Sequence, residues 1–337
     1  MVVPKVSVIM PVYNAERFIS ETINSILSQS FTNFEFLITD DCSSDGTLKI
    51  ISSFKDPRIT VFVNETNIGY VRILNQLINI SAGDYIARQD HDDISVSDRL
   101  GQQILFMDNN PEVGICGCNA KMFGTRRWIS SVPTEDSDIR AAFIMRNPYV
   151  HSSVLMRRSI FQGDRLLKYN NDYYPAEDYS LWFEISLIAK LANLPSSLLQ
   201  YRTHSNNVSH LNGKDQIEKA NAIRVRILEI TLSISLTDEE KRLHNLFSTS
   251  NQISLSDLKS LEKWYLKILT YNKVKKYYSD KALNEILLKY WTHVCFFQNN
   301  ILFPKMIYLY FTSKLFRITL FMDIFSMRTF MNYILRR

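Results

Sequence analysis

VSVIMPVYNAERFISETINSILSQS, residues Val6–Ser30, joins a short apolar run to an amphipathic stretch through a polar turn. Val6–Met10 is too short for the apolar region of a signal peptide and has the length of a strand. Beyond it, Glu16–Ser30 sets Phe18, Ile19, Ile23, Ile26 and Leu27 on one face at three- and four-residue spacing, which predicts a helix. The pattern repeats outward. Phe34–Thr39, Ile59–Val63 and Tyr85–Gln89 read as strands, and Asp45–Phe54 and Tyr70–Ile80 as helices, the latter through Val71, Leu74 and Ile78. Strand–helix–strand units of this length predict a parallel, doubly wound sheet with right-handed crossovers. The strands are nearly all apolar, as expected when helices cover both faces.

Gly101–Ser209 is less regular, with short strands and one strong helix, Asp178–Leu191. Asp215–Leu232, Ser256–Tyr271, Lys281–Phe297 and Pro304–Leu335 all read as helices. This divides the chain into residues 1–210 and an all-helical region, 211–337, with Ser248–Ser256 its most linker-like segment. Within the first part, the regular strand–helix alternation of 1–100 sets it apart from 101–210. With 337 residues and 46% hydrophobic composition, one full core and a smaller module are affordable. The net charge of +5 forms no basic stripe in the first two-thirds, which argues against nucleic acid as a partner. Cys42, Cys116, Cys118 and Cys295 are too unevenly spaced for a disulfide framework and read as buried free thiols in a reducing compartment.

In an open parallel sheet, ligands bind beyond the carboxyl ends of the strands. The unusual polar residues stand there: Pro11-Val12-Tyr13-Asn14, then Asp40-Asp41 with Cys42-Ser43-Ser44-Asp45-Gly46-Thr47, then Asn64–Gly69, then Asp90-His91-Asp92-Asp93. Three carboxylates within four residues repel one another unless a cation sits among them, and hard oxygen donors suit Mg²⁺ or Mn²⁺. The plainer alternative is that Asp92 or Asp93 caps a helix at Ser97–Met107. Asp40 and Asp41 could form an Asx-turn and cap, or accept from the N–H of a base while Tyr13 packs on its ring. No Gly-x-Gly-x-x-Gly follows the first strand, which counts against a dinucleotide. Glu177-Asp178 at a helix start could be a dipole-favoured cap or hold a general base for an attacking hydroxyl.

Taken together, these motifs and their order resemble the family 2 glycosyltransferases, inverting enzymes of the GT-A fold, over about residues 4–210. Tyr201-Arg202-Thr203-His204 with Ser209 extends the likeness. The resemblance implies a mixed α/β sheet with helices on both faces and a nucleotide-sugar donor, with UDP expected. Pro11, Tyr13, Asn14, Asp40, Asp41, Asn67, Arg72 and Asp90 would hold the nucleotide. Asp90, Asp92 and His204 would hold Mn²⁺ or Mg²⁺, with Asp93 and Arg202 as further candidates. Asp178 would be the catalytic base, with Glu177 its alternative, and His151-Ser152-Ser153 would line the acceptor side. Cys42 stands where family members often have Gly, and His91 where they have small residues.

Two rival classes remain at this level: a nucleotide-sugar-binding protein without turnover, and a nucleotidyltransferase, whose usual Gly-rich basic loop Pro11–Arg17 does not supply. By family analogy the setting is cytoplasmic, in bacterial O-antigen or capsule assembly, with a glycan or lipid-linked glycan acceptor. The last stretch carries Lys305, Lys314, Arg317, Arg328, Arg336 and Arg337 among aromatics such as Tyr310 and Phe316. Its reading is a helix lying on the inner membrane surface, or packed on the protein with its basic side in water.

Overall fold

The computed structural model describes residues 3–163, 167–205, 207, 212–248, 253–297 and 310–316. Its first strands and helices follow the apolar periodicity: β1 (Val6–Val12), α1 (Ile19–Leu27), β2 (Phe34–Asp40), α2 (Thr47–Ser53), β3 (Ile59–Val63), α3 (Tyr70–Ile80) and β4 (Tyr85–Arg88). Every residue of β1 and β4 is buried. Ile19, Ile23 and Ile26 of α1 join Val8, Met10, Phe36, Ile38 and Leu155 in one apolar cluster. Each such side chain, removed from water, contributes roughly 1.5–3 kcal/mol, which is what holds the loops at the strand ends in register.

Strands β1 to β4 are mutually parallel in the order β3-β2-β1-β4. The chain then passes β5 (Ile94–Ser95), α4 (Arg99–Asn109), β6 (Val113–Gly124), β7 (Trp128–Ile129), α5 (Asp136–Ala142), β8 (Leu155–Arg157), α6 (Glu177–Ser186) and β9 (Lys190–Thr203). The sheet continues from β4 as β8-β6-β9-β5, and β8 enters antiparallel to both β4 and β6. The parallel expectation therefore holds for the first half, and the whole sheet is mixed.

Two sequence readings need correction here. The expected helix Asp178–Leu191 ends at Ser186, because Lys190 and Leu191 are drawn into the sheet: Lys190 N–H donates to the Glu112 carbonyl (3.0 Å) and Leu191 N–H to Asp136 Oδ1 (2.9 Å). The middle region also holds two long strands rather than short ones, β6 and β9, paired in parallel through bulges at Cys118–Ala120. Pro195 and two adjacent serines interrupt the apolar alternation of β9 and hide it from a periodicity argument.

The chain divides into two compact units, one of Met1–Asp136 and Asn147–Lys219, the other of Ser137–Arg146 and Ala220–Arg337. The sequence boundary at 210 thus falls short of the contact boundary, and Ser137–Arg146 groups with the helical unit. That unit contains helices Gly213–Leu232 (shared with the first), Asp238–His244, Leu255–Lys275 and Asp280–Phe297. Tyr310 and Phe316, read as aromatics of a membrane-lying helix, are buried in this unit. The Tyr310 hydroxyl shares a hydrogen bond with Thr292 Oγ1 (2.9 Å), and Ser313 interrupts the helix. The other basic residues assigned to that helix, Lys305, Arg317, Arg328, Arg336 and Arg337, lie outside the described residues. Among the described residues, no helix is long and apolar enough to cross a membrane.

Candidate active site

The loops after β1 and β2 are laced together by short polar side chains. Asn14, at φ 48°, donates its N–H to Ser43 Oγ and accepts from Ser44 N–H through Oδ1, both at 2.9 Å. Ala15 N–H donates to Thr47 Oγ1 (2.7 Å). Cys42 is exposed, not buried, and sits at φ 63°, the left-handed conformation that a glycine adopts without strain. Pro11 is buried, while Tyr13 is 47% exposed.

Asp40 and Asp41 are both buried and differ in use. Asp40 Oδ2 accepts from Ser43 N–H (3.1 Å) in an Asx-type turn, and its Oδ1 has no partner. Asp41 accepts from Asn64 Nδ2 (2.8 Å), Ile68 N–H and Gly69 N–H (2.9 Å each). Three charge-assisted bonds pull the 64–69 loop over the end of β2. Gly69, at φ 91°, turns its N–H to the carboxylate in a conformation that a side chain would strain. Asn67 Nδ2 reaches the Asp41 carbonyl (3.3 Å), and Arg72 is exposed on the first turn of α3.

The Asp90–Asp93 loop is preset from below. Gln89 Nε2 donates to the carbonyls of Asp90 and Asp93 (3.0 Å each), and its Oε1 accepts from Ser95 Oγ and Arg99 Nη1. Arg99, fully buried, also donates to Gln103, Ser95 and the carbonyls of Arg88 and Val154. The helix after the loop has Asp98 at its N-cap position and no side-chain cap bond, so neither Asp92 nor Asp93 serves as its cap.

The three carboxylates gather oxygens within 4.8 Å of one another but have different partners. Asp90 pairs with Arg88, a fully buried guanidinium that lies over Tyr70 and leaves Nε and Nη2 without hydrogen bonds. Asp92 Oδ2 meets His204 Nε2 at 2.9 Å and Asn207 Nδ2 at 3.3 Å. Burial works to raise the Asp92 pKa, but His204, His91 and Arg88 outweigh it and hold the carboxyl below its ordinary range. Asp93 is pushed well above that range by burial and by its two neighbours. Its oxygens are already taken by Ser152 Oγ and by Arg202 N–H (2.8 Å). Asp90 and Asp92 offer the hard oxygen donors that suit a divalent cation, while the His204 imidazole is engaged by Asp92 Oδ2 and is not one of the gathered groups. Asp93 instead fastens β9 and residue 152 to the loop.

Arg202 is committed as well. Its guanidinium pairs with Glu21, donates to the Asp92 carbonyl (2.9 Å) and is sandwiched between Phe18 and Phe123, each ring centroid 4.5 Å away. It braces the loop more than it faces a ligand.

Glu177 and Asp178 occupy the first turn of α6, where the helix dipole favours carboxylates, yet the cap residue is Ala176 and no side chain caps the end. Asp178 Oδ2 accepts from Asn147 Nδ2 and Oδ1 from Tyr179 N–H, both at 2.7 Å. Burial pushes Asp178 up to about 6 against these two bonds, with Arg88 and Asp90 also acting on it. Glu177 is pushed up to about 8 by burial and by Asp178, and its Oε2 has no partner.

His151 does not present a free imidazole. Its Nε2 is 2.9 Å from the Tyr169 hydroxyl and its Nδ1 3.4 Å from that of Tyr70, and burial holds it well below the ordinary imidazole pKa. Ser152 and Ser153 are fully buried, so they cannot line an acceptor cleft as expected. Sequence reasoning overlooked Arg88, Asn147, Tyr169 and Asn207. Only Arg88 left a signal, as a charge inside an otherwise apolar buried strand.

Residues 7–165 match the family model described as Glycosyl transferase family 2. An uncharacterized glycosyltransferase of Haemophilus influenzae is 32% identical over 234 residues, 66% of this chain and 72% of that protein. UDP-Glc:alpha-D-GlcNAc-diphosphoundecaprenol beta-1,3-glucosyltransferase WfaP of Escherichia coli is 32% identical over 225 residues, 65% of this chain and 85% of that protein. Among solved structures, S. aureus TarS 1–349 in complex with UDP-GlcNAc superposes with a TM-score of 0.59 at 20% identity, covering 86% of this chain and 90% of that one, a likeness of fold.

Proposed function

This chain belongs to glycosyl transferase family 2, and from that membership we propose that it moves a sugar from a UDP-sugar to a hydroxyl of a lipid-diphosphate-linked glycan, with inversion. It is a glycosyltransferase with relatives in bacterial polysaccharide biosynthesis. The observation that carries the finer reading is a run of contacts. Arg88, which pairs with Asp90, lies over Tyr70; the Tyr70 hydroxyl is 3.4 Å from His151 Nδ1, and the His151 ring packs edge-on against Trp182 in α6, the helix that begins with Glu177 and Asp178. The acidic loop and the start of α6 are linked through one aromatic cluster, which supports a base working opposite the donor site.

In this reading Asp178 removes the acceptor proton during attack. With a pKa of about 6 it is mostly ionised at neutral pH yet basic enough to take a proton. Asn147 and Tyr179 N–H fix its two oxygens, so the carboxylate does not rotate away as charge moves. Glu177, largely protonated at neutral pH, adds no second charge. Asp41 holds the 64–69 loop closed beside the base, with Tyr13 as its stacking face and Asp40 and Asn14 shaping the turn. Asp90 and Asp92 would hold Mn²⁺ or Mg²⁺, which when bound neutralises charge on the leaving diphosphate. The acceptor class is the one that the name of the Escherichia coli relative gives for that enzyme.

Incubation with a panel of UDP-sugars and a diphosphate-linked GlcNAc acceptor tests this directly. Release of UDP that requires the acceptor is expected. Acceptor-independent binding without release would overturn the reading.

A further inference from the structure

We propose that the hairpin joining β6 to β7 is a membrane foot, which seats the active site on an acidic phospholipid surface. The case begins with charge. Between Glu112 and Glu135 the sequence has no carboxylate, while Lys121, Arg126 and Arg127 are all cationic. All three are exposed, and so are Trp128 (46%) and Ile129 (63%). Two arginines beside an exposed indole and a branched aliphatic side chain form the combination that partitions into the headgroup layer, the ring at the interface and the cations on lipid phosphates.

The tip is built to hold that shape. Gly124, at φ 97°, has its α-carbon so close to the Thr203 carbonyl that an added Cβ would lie 2.4 Å from the oxygen. Thr125 N–H donates to that carbonyl (3.0 Å), and Arg126 N–H to Thr203 Oγ1 (2.9 Å). Lys121 pairs with Ile129 and Met122 with Trp128 across the ribbon. Phe123 at its base stacks on Arg202. The next residue after Thr203 is His204, which bonds Asp92. The exposed tip is thus tied, one residue away, to the loop that handles the donor. A surface docked on the tip lies beside the reaction site, where a lipid-linked acceptor presents its sugar. This inference rests on the reading of a lipid-linked acceptor.

Trp128 also supplies the probe. The chain has four tryptophans, and the other three, Trp182, Trp264 and Trp291, are buried at 0, 3 and 2%. Brominated lipid reaches an interfacial indole, so quenching reports on Trp128 alone. Vesicles of brominated phosphatidylglycerol in phosphatidylcholine are expected to quench the full chain, and vesicles of brominated phosphatidylcholine alone are not. Arg126→Glu with Arg127→Glu should weaken partition at least about thirtyfold, each basic residue being worth about a factor of five near an acidic surface. UDP release with a water-soluble acceptor should be unchanged in that variant, which also confirms that it folds. Absence of quenching in the wild type, or quenching that survives the charge reversal, overturns the foot. Loss of soluble-acceptor turnover in the wild type would instead strike at the proposed reaction and leave the lipid measurement to be read by itself.

Discussion

His204 Nε2 and Asp92 Oδ2 lie 2.9 Å apart, joining the end of β9 to the loop after β4. Asp93, the neighbour of Asp92, bonds the backbone N–H of Arg202 from the same strand end. Two adjacent aspartates are therefore engaged differently, one by the His204 imidazole and one by the Arg202 backbone, and on the proposed mechanism only Asp92 serves the metal. Asp92→Asn should cut transfer by at least about 10²-fold and remove the response to Mn²⁺. Asp93→Asn should stay within a few-fold of wild type, because burial already favours the neutral acid and an amide can keep both bonds. Steady-state rates across a Mn²⁺ titration check this; equal losses would mean that the roles are misassigned.

The pH profile carries a second expectation. On the proposed mechanism Asp178 acts in its ionised form, so turnover should rise as pH passes through about 6 and level off above it. Asn147→Ala removes a bond that stabilises the carboxylate, and should move that limb upward in pH. Asp178→Asn should lose about 10²–10⁴-fold in turnover while UDP-sugar binding persists. Glu177→Gln should remain active, since its acid is largely protonated at neutral pH. Calorimetric binding alongside kinetics separates these outcomes.

Stability should respond in the opposite sense. Asp178 has a folded pKa of about 6 against an ordinary 3.8, so the folded state resists ionisation. Below 3.8 both states hold the proton and nothing is lost. As pH rises through 3.8 and then 6, the unfolded chain ionises first and stability falls, with the full loss present above about 6. Asp178→Asn should therefore raise Tm above pH 6, and the gain should fade towards pH 4. Differential scanning at several pH values tests this, and a Tm lowered at all of them would contradict it.

Arg99 is the support under the Asp90–Asp93 loop. Arg99→Met would remove the donor to Gln103 and the Arg88 carbonyl, and one of two donors to Gln89 Oε1 and to the Val154 carbonyl, which keep Ser95 Oγ and Arg88 N–H. At roughly 1–3 kcal/mol for each buried group left unpaired, the loss should be several kcal/mol. Urea denaturation measures it, and a change below about 1 kcal/mol would show that the network is not needed.

Much of this was legible in the chain itself. The β1–β4 half announced itself because each strand is short, apolar and followed by a helix at regular spacing, and its polar residues cluster where such sheets bind ligands. The second half was not legible for reasons that can be named. β9 carries Pro195 and serines that break its alternation, and it pairs with β6 residues nearly eighty positions away, as Gly124 with Thr203, a pairing that no local pattern reports. Among site residues, the type of chemistry was readable and the division of labour was not. Asp93 looked like Asp92 until Ser152 and Arg202 were seen to occupy it, and His151 looked available until Tyr70 and Tyr169 closed both its nitrogens.

The central claim is direct displacement at a sugar by a carboxylate-activated hydroxyl. The measurement that addresses it most directly is the anomeric configuration of the product formed from an α-linked UDP-sugar and a defined acceptor, read from the proton coupling at the new glycosidic centre. A β-linked product, formed with divalent metal and lost on chelation and with Asp178→Asn, is the predicted result. An α-linked product, or full transfer after chelation, would contradict the account.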